Sequence, residues 1–252
     1  MANSSSGESM ISRVVRVLDT LDAGRANMSI TRIAAEAELP LATVHRLVRE
    51  LMTFGWVERG TDGTVRLGLA LWELANRGSV AQELRTAARP FMEDVHSVVK
   101  QHTQLGVLRG EEVVFVECYS RRGSVTNAVT LAGRLPVHSS SAGLAIMAFS
   151  EPLRREDYIR AHAERMPGIG NRLAQIRREG YAVIEGAQHV DTSGIAVPIA
   201  GRGGAVVAAL SVVVPRDPAE VTLALPPLRV AAQGITRALR SRDYQSMERH
   251  VG

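Results

Sequence analysis

The chain has 252 residues, 45% hydrophobic and 22% charged, which is enough for one large or two ordinary globular cores and too apolar for a disordered protein. Its net charge is +4, and Lys100 is the only lysine among its 30 basic residues, so the basicity is an arginine bias spread along the chain and not a nucleic-acid-binding tract. A single cysteine, Cys118, excludes an internal disulfide framework and a cysteine-cluster metal site, and no run approaches the roughly 18 apolar residues of a membrane span.

Residues 1–8 are small and polar, lack the basic-then-apolar order of a secretory signal, and read as the loose tail of a cytoplasmic protein. An amphipathic helix follows over 9–21, with Val14, Val17, Leu18 and Leu21 apolar and Ser9 or Ser12 as its cap, then a loop over 22–27. Residues 30–37 read as a short helix capped by Ser29. Leu39-Pro40 breaks it, and residues 41–53 form a second helix. In that helix Val44, Leu47, Val48 and Leu51 recur at i, i+3, i+4 and i+7 as a buried stripe, while Thr43, His45, Arg46, Arg49 and Glu50 take the other face. Two short strands, 56–59 and 64–67, flank the turn signal Thr61-Asp62-Gly63. Helix, turn, helix and hairpin in this order make a winged helix-turn-helix, a unit whose second helix enters the DNA major groove. Residues 69–78 continue as a linker helix that Arg77-Gly78 ends, which sets domains at 9–68 and 79–252.

The second domain opens with a helix over 79–102 that Pro90 should kink or break near Arg89. A β-hairpin (103–108 and 113–119), a third strand (125–131) and a loop (133–136) lead into an apolar helix over 142–149, preceded by His138 and three serines. Helices over 151–161 and 172–179, strands over 181–184, 195–200 and 205–214, and a closing helix over 228–242 started by Pro226-Pro227 complete the chain. Strands and helices that do not strictly alternate indicate an α+β domain with a largely antiparallel sheet.

Three stretches carry a resemblance to a known family. They are the run ITRIAAEAELPLATVHRLVRELMTFGWVER ending in RLGLALWELA, the segment AGRLPVHSSSAGLAIMAF, and the segment IRREGYAVIEGAQHVDTSGIAVPIAGRGGAVVAALSVVVP. Together they resemble the IclR family of bacterial transcription factors. The resemblance implies a two-domain α/β architecture: a winged helix-turn-helix joined by a helical linker to a GAF-like domain that binds a small effector. It also implies homodimers, or dimers of dimers, on double-stranded operator DNA, with no cofactor and no membrane partner. The chain departs from the family in two places. Leu41 and Ala42 stand where the recognition helix commonly starts with hydroxyl or basic residues. Ile184 and Gly194 stand where carboxylate-binding members use an acidic residue and a cysteine.

The residue-level expectations follow from both readings. Thr43, His45, Arg46 and Arg49 on the second helix and Arg66 on the wing are the DNA-contacting candidates, since arginine can bind guanine bidentately or phosphate. Residues 1–68 hold eight arginines and eight acids, so affinity must come from an oligomer that adds phosphate contacts over two half-sites. By family position the effector pocket takes in Ala128, Leu135, Ser139, Ser141, Ala142, Ile184, Thr192, Gly194 and Ser211, with free N–H groups at residues 139–142 as its polar end. That set suits an effector with an apolar body and one polar or anionic end. The alternatives from other classes are an enzyme tethered to DNA and an effector-independent architectural protein. His138 beside Ser139–Ser141 lacks the nucleophile elbow and the orienting acid of a hydrolase, and Gly201-Arg-Gly-Gly204 joins two strands and opens no helix, as a phosphate loop would.

Overall fold

The computed structural model describes residues 8–21, 27–77, 80–121, 124 and 131–248. The chain divides into two compact units, Met1–Ser79 and Val80–Gly252.

In the first unit, α1 (Met10–Asp19) and α2 (Ile30–Glu36) start in the same way. Ser9 Oγ accepts the Ser12 N–H at 3.0 Å, and Ser29 Oγ accepts the Arg32 N–H at 3.3 Å. α3 (Leu41–Thr53) follows Pro40, whose carbonyl accepts from the amides of Thr43 and Val44. The turn between α2 and α3 holds Glu38 at φ +49°, and the Arg16 guanidinium of α1 donates to the carbonyls of Ala37 and Glu38 there. One arginine thus satisfies carbonyls that the end of α2 leaves open. Val17, Ile33, Val44, Leu47 and Val48 form the common core, so the apolar stripe of α3 faces inward as its spacing predicts. β1 (Val57–Arg59) pairs antiparallel with β2 (Val65–Leu67). Between them Asp62 Oδ1 accepts from the hydroxyl and the amide of Thr64, bonds that hold its carboxyl below the usual range. Met28 bridges Val65, which fastens this wing to the start of α2. α4 (Leu69–Asn76) closes the unit with Leu69, Trp72 and Leu74 exposed.

The second unit begins with α5 (Val80–Val99), which runs unbroken through Pro90. Of the kink or break expected near Arg89, the break does not occur. Arg89 and Pro90 face solvent, while Ala87, Ala88, Met92 and Val95 are buried on either side. Packing of that face outweighs the lost hydrogen bond, a cost of about 3 kcal/mol. Then follow β3 (His102–Arg109), β4 (Glu112–Tyr119), β5 (Arg134–Pro136), a 3-10 turn (Val137–Ser139), α6 (Ser141–Phe149), α7 (Pro152–His162) and α8 (Ile169–Glu179). β6 (Ala182–Glu185), β7 (Thr192–Ala200), β8 (Val206–Pro215) and α9 (Pro218–Glu248) complete it. Among the described residues the sheet has the order β5-β4-β3-β8-β7-β6, with every neighbouring pair antiparallel.

Two segments differ from the sequence reading. The expected loop over 133–136 contains β5, whose Leu135 pairs with Val113; Pro136 is tolerated because this is the edge strand. The closing helix starts at Pro218, ahead of Pro226-Pro227. Asp217 Oδ1 accepts the Ala219 N–H at 2.8 Å, and Pro218 takes the first helical position that suits it. The expected strand over 125–131 lies, except for its last residue, outside the described residues, as does Ala128.

Strand alternation separates the two faces of the sheet. Leu105, Ile195, Ile199, Leu210 and Val212 point to one face, under α5 and α9. Phe115, Ala182, Ala196 and Ala209 point to the other, under α6 and α8. α6 is apolar all round, and each residue from Ser141 to Ala148 is buried.

Candidate nucleic-acid interface and ligand cavity

The burial of Val44, Leu47, Val48 and Leu51 fixes the rotation of α3 and so decides what the helix presents outward. His45, Arg46 and Arg49 are exposed, and Thr43 is half-buried beside them. Arg46 Nη2 lies 3.8 Å from the Met10 sulfur, a weak contact that leaves the guanidinium at the surface. Leu41 and Ala42 are exposed as well, so the first turn of α3 offers apolar side chains to whatever meets it. On the wing, Arg66 forms an ion pair with Glu58 at 3.0 Å, and Arg59 Nε donates to the Gly63 carbonyl at 3.3 Å. Both partners of the Arg66–Glu58 pair are solvent-exposed. Such pairs contribute about 0–1 kcal/mol, so a phosphate would displace Glu58 at little cost.

In the second unit a small cavity of about 40 Å³, open on one side, lies on the sheet face that carries α6. Its floor is strand residues Gln104, Phe115, Thr192, Gly194, Ser211 and Val213; Leu135 and Ile184 form walls, and Ser139, Ser140, Ser141, Ala187 and Gln188 close it from above. Seven residues singled out from the sequence therefore come together here: Leu135, Ser139, Ser141, Ile184, Thr192, Gly194 and Ser211. Ala142 does not line the cavity. It is buried at the start of α6, where its methyl faces Gly106 of β3, because the helix turns that side to the sheet.

The helix starts at Ser141, one residue earlier than the sequence suggested. Ser139 ends the 3-10 turn, with its hydroxyl donating to the Pro136 carbonyl, and Ser140 is the cap of α6. Ser140 Oγ accepts the Gly143 N–H at 3.2 Å, and the Ser140 carbonyl accepts from Leu144. The amides of Ser141 and Ala142 remain outside these bonds at the positive end of the helix.

Gly194 explains how Ser141 can sit so low over β7. A β-carbon at Gly194 would stand 2.9 Å from Ser141 Oγ. The serine hydroxyl occupies the space that a larger residue at position 194 would need.

Among the described residues no charged side chain lines the cavity. Its polarity comes from hydroxyls and two amides. Thr192 Oγ1 donates to His189, Ser211 Oγ to the Gln104 carbonyl, and Gln188 Nε2 to the Ser139 carbonyl. Gln104 is 3% exposed, and its side-chain amide lies against the thiol of Cys118, its partner across the β3–β4 pair. The sequence reading missed Gln104, Phe115, Ala187, Gln188 and Val213. The first carried a signal: Gln104 is a lone amide in the apolar strand HTQLGVLR, on the alternate face from Leu105.

His138 lies off the cavity, on a neighbouring surface with Arg172 and Glu185, and its ring is 6.3 Å from that of His162. His162 is engaged with Glu111 at 2.9 Å. Among the described residues no group of three or more His, Cys, Asp or Glu is placed to hold a metal, and no helix is long and apolar enough to cross a membrane.

Comparison with known proteins gives a consistent result. The family model described as the IclR helix-turn-helix domain matches residues 10–60, and that described as the bacterial transcriptional regulator IclR C-terminal matches residues 79–236. The chain is 26% identical over 211 residues to the HTH-type transcriptional regulator XynR of Escherichia coli, covering 80% of this chain and 84% of XynR. It is 25% identical over 219 residues to the HTH-type transcriptional repressor AllR of the same species, covering 82% of this chain and 80% of AllR. Among solved structures, an IclR homolog from Microbacterium hydrocarbonoxydans, complexed with 4-hydroxybenzoate, is 42% identical and superposes with a TM-score of 0.82 over 92% of this chain and all of that one. An IclR transcriptional regulator from Silicibacter is 27% identical with a TM-score of 0.77, over 92% of this chain and 96% of that one.

Proposed function

The chain belongs to the IclR family of bacterial transcriptional regulators, and from that premise we propose that it binds operator DNA through α3 and the wing and that a small aromatic acid bound in the cavity controls this binding. The cavity carries the reading. It is an uncharged, largely apolar space ending at Ser141 on the first turn of α6, in a chain 42% identical to a homolog whose structure holds 4-hydroxybenzoate. A flat ring suits the Phe115, Leu135, Ile184 and Val213 walls, and a carboxylate suits the N-terminus of α6. Leu135, Ser139, Ser141, Ile184, Thr192, Gly194 and Ser211 are the effector contacts in this reading. The absence of an acid at 184 and a cysteine at 194 separates it from the small, fully polar carboxylates.

On the DNA side, Thr43 and His45 meet base edges, and Arg46, Arg49 and Arg66 meet phosphate or guanine. With eight arginines against eight acids over residues 1–68, one unit neutralises few phosphates. The working form is therefore a homodimer, or a dimer of dimers, that sets two copies of α3 in successive major grooves about 34–36 Å apart.

The test is fluorescence anisotropy of the full-length protein on DNA from upstream of its own gene, with and without 4-hydroxybenzoate. Sequence-dependent binding is expected, with an affinity change of about 5–150-fold on adding the acid. Arg49→Ala should weaken binding and reduce the salt dependence by about one ion. Binding that ignores DNA sequence, or an affinity no aromatic acid moves, would sink the reading.

A further inference from the structure

We propose that the leading end of α3 reads a thymine by its methyl group, through the Ala42 side chain, so that each operator half-site carries a T·A pair under the first turn of the helix. This rests on the DNA-binding reading above and adds one specified base to it.

The rotation of α3 is fixed by its buried side. Val44, Leu47, Val48 and Leu51 are buried, and at about 100° per residue the line diametrically opposite them runs through Ala42, Arg46, Arg49 and Thr53. All four of these are exposed. With its core side held against α2 and β1, the helix turns this line toward the floor of a major groove. Ala42 stands at the leading end of the line, where the recognition helix of this motif meets base edges. Arg46 follows one turn behind.

That leading end is carbon only. Pro40, Leu41 and Ala42 are all exposed, Leu41 at 46%, and none of their side chains carries a donor or an acceptor. Pro40 caps the helix without a side-chain hydrogen bond. Thr43, the first hydroxyl, is half-buried and lies about a quarter-turn off the exposed line. Exposed apolar side chains scattered singly are ordinary, but here three follow one another at the tip of a DNA-binding helix. Such a tip cannot read the donor and acceptor code of the major groove. The one apolar group in that code is the C5 methyl of thymine, and alanine is a side chain that packs on it. Arg46 lies about 6 Å further along the helix, which sets its contact roughly two base-pair steps from the thymine.

Uracil interference tests this, because deoxyuridine keeps the O4 acceptor of thymidine and lacks only the methyl. The upstream DNA fragment that the full-length protein binds is made with sparse, random replacement of thymine by uracil. Bound and free DNA are separated, and the uracils are mapped by glycosylase cleavage. One thymine per half-site, at two-fold-related positions, should be depleted of uracil in the bound fraction. A duplex with uracil fixed at both positions should bind roughly 15-fold more weakly than the thymine duplex, from about fourfold per buried methyl. In Ala42→Gly the two duplexes should bind alike, whatever glycine does to binding as a whole, and in Leu41→Ala the difference should persist. The proposal is overturned if no thymine interferes or if Ala42→Gly keeps the wild-type ratio. A ratio lost in Leu41→Ala and kept in Ala42→Gly moves the contact to Leu41 and overturns it as well. Should Ala42→Gly fail to fold, Ala42→Gln takes its place: glutamine suits a helix, and its longer polar side chain should equally bring the ratio to about one. If no upstream fragment is bound in a sequence-dependent way, the DNA-binding reading fails and this proposal with it. Sequence-dependent binding that ignores the methyl sinks this proposal alone.

Discussion

Cys118 illustrates how far a neighbour's chemistry reaches at the scale of one residue. It lies on β4 directly after the buried Glu117; burial first, and that carboxylate second, push its thiol up to about 11. Glu117 stays in place because Arg85 of α5 holds it at 3.1 Å. The thiolate is the nucleophile, and a raised pKa removes it at neutral pH. At pH 8 a thiol titrating near 11 is about one part in a thousand thiolate, against roughly a quarter for an ordinary one. In the native protein a disulfide reagent should modify Cys118 about a hundredfold more slowly than it does the denatured chain. The native rate should climb toward pH 10 and above, where the denatured rate has levelled off. A native rate matching the denatured one at pH 8 would show that the site is neither dry nor acid-flanked. The same logic fits an inert packing cysteine.

The element that organises the ligand unit is α6, and its position depends on a missing side chain. A β-carbon at Gly143 would stand 2.7 Å from both the Cα and the carbonyl oxygen of Val137, so backbone meets backbone there. Neither partner is a flexible side chain that can give way. Gly143→Ala should therefore destabilise the second unit by about 1–3 kcal/mol, in spite of alanine's better helix propensity, because it pushes α6 off the 3-10 turn. The check is the thermal midpoint of the variant: an unchanged or raised midpoint would mean the turn can shift freely. The sequence made some of these elements legible and not others. Helices with a repeating apolar stripe, such as α3, and strands with turn residues at their ends, such as β3 and β4, can be read from local pattern. β5 could not be, because Gly133 and Pro136 bracket it like a loop and only pairing with β4 makes Arg134–Pro136 a strand. α9 hid its start because two prolines inside it outweighed the Asp217-Pro218 cap in a local reading. The cavity was half legible for a similar reason. Small polar residues near a helix start announce themselves in sequence, but Phe115 and Val213 look like any core residue until the sheet turns them toward α6.

At the scale of the whole molecule, one chain carries a DNA-facing unit and a ligand unit with separate cores, and regulation requires that the two equilibria be linked. A ligand can move operator affinity only by the difference in its own affinity for the DNA-competent and DNA-incompetent states. The coupling is reciprocal, so a factor measured on one side fixes the factor on the other. Suppose 4-hydroxybenzoate weakens operator binding by some factor. Operator DNA at saturation must then weaken 4-hydroxybenzoate binding by that same factor; if the acid strengthens operator binding, both signs reverse. This can be measured without knowing whether the protein represses or activates, by titrating the acid calorimetrically into free protein and into the protein–operator complex.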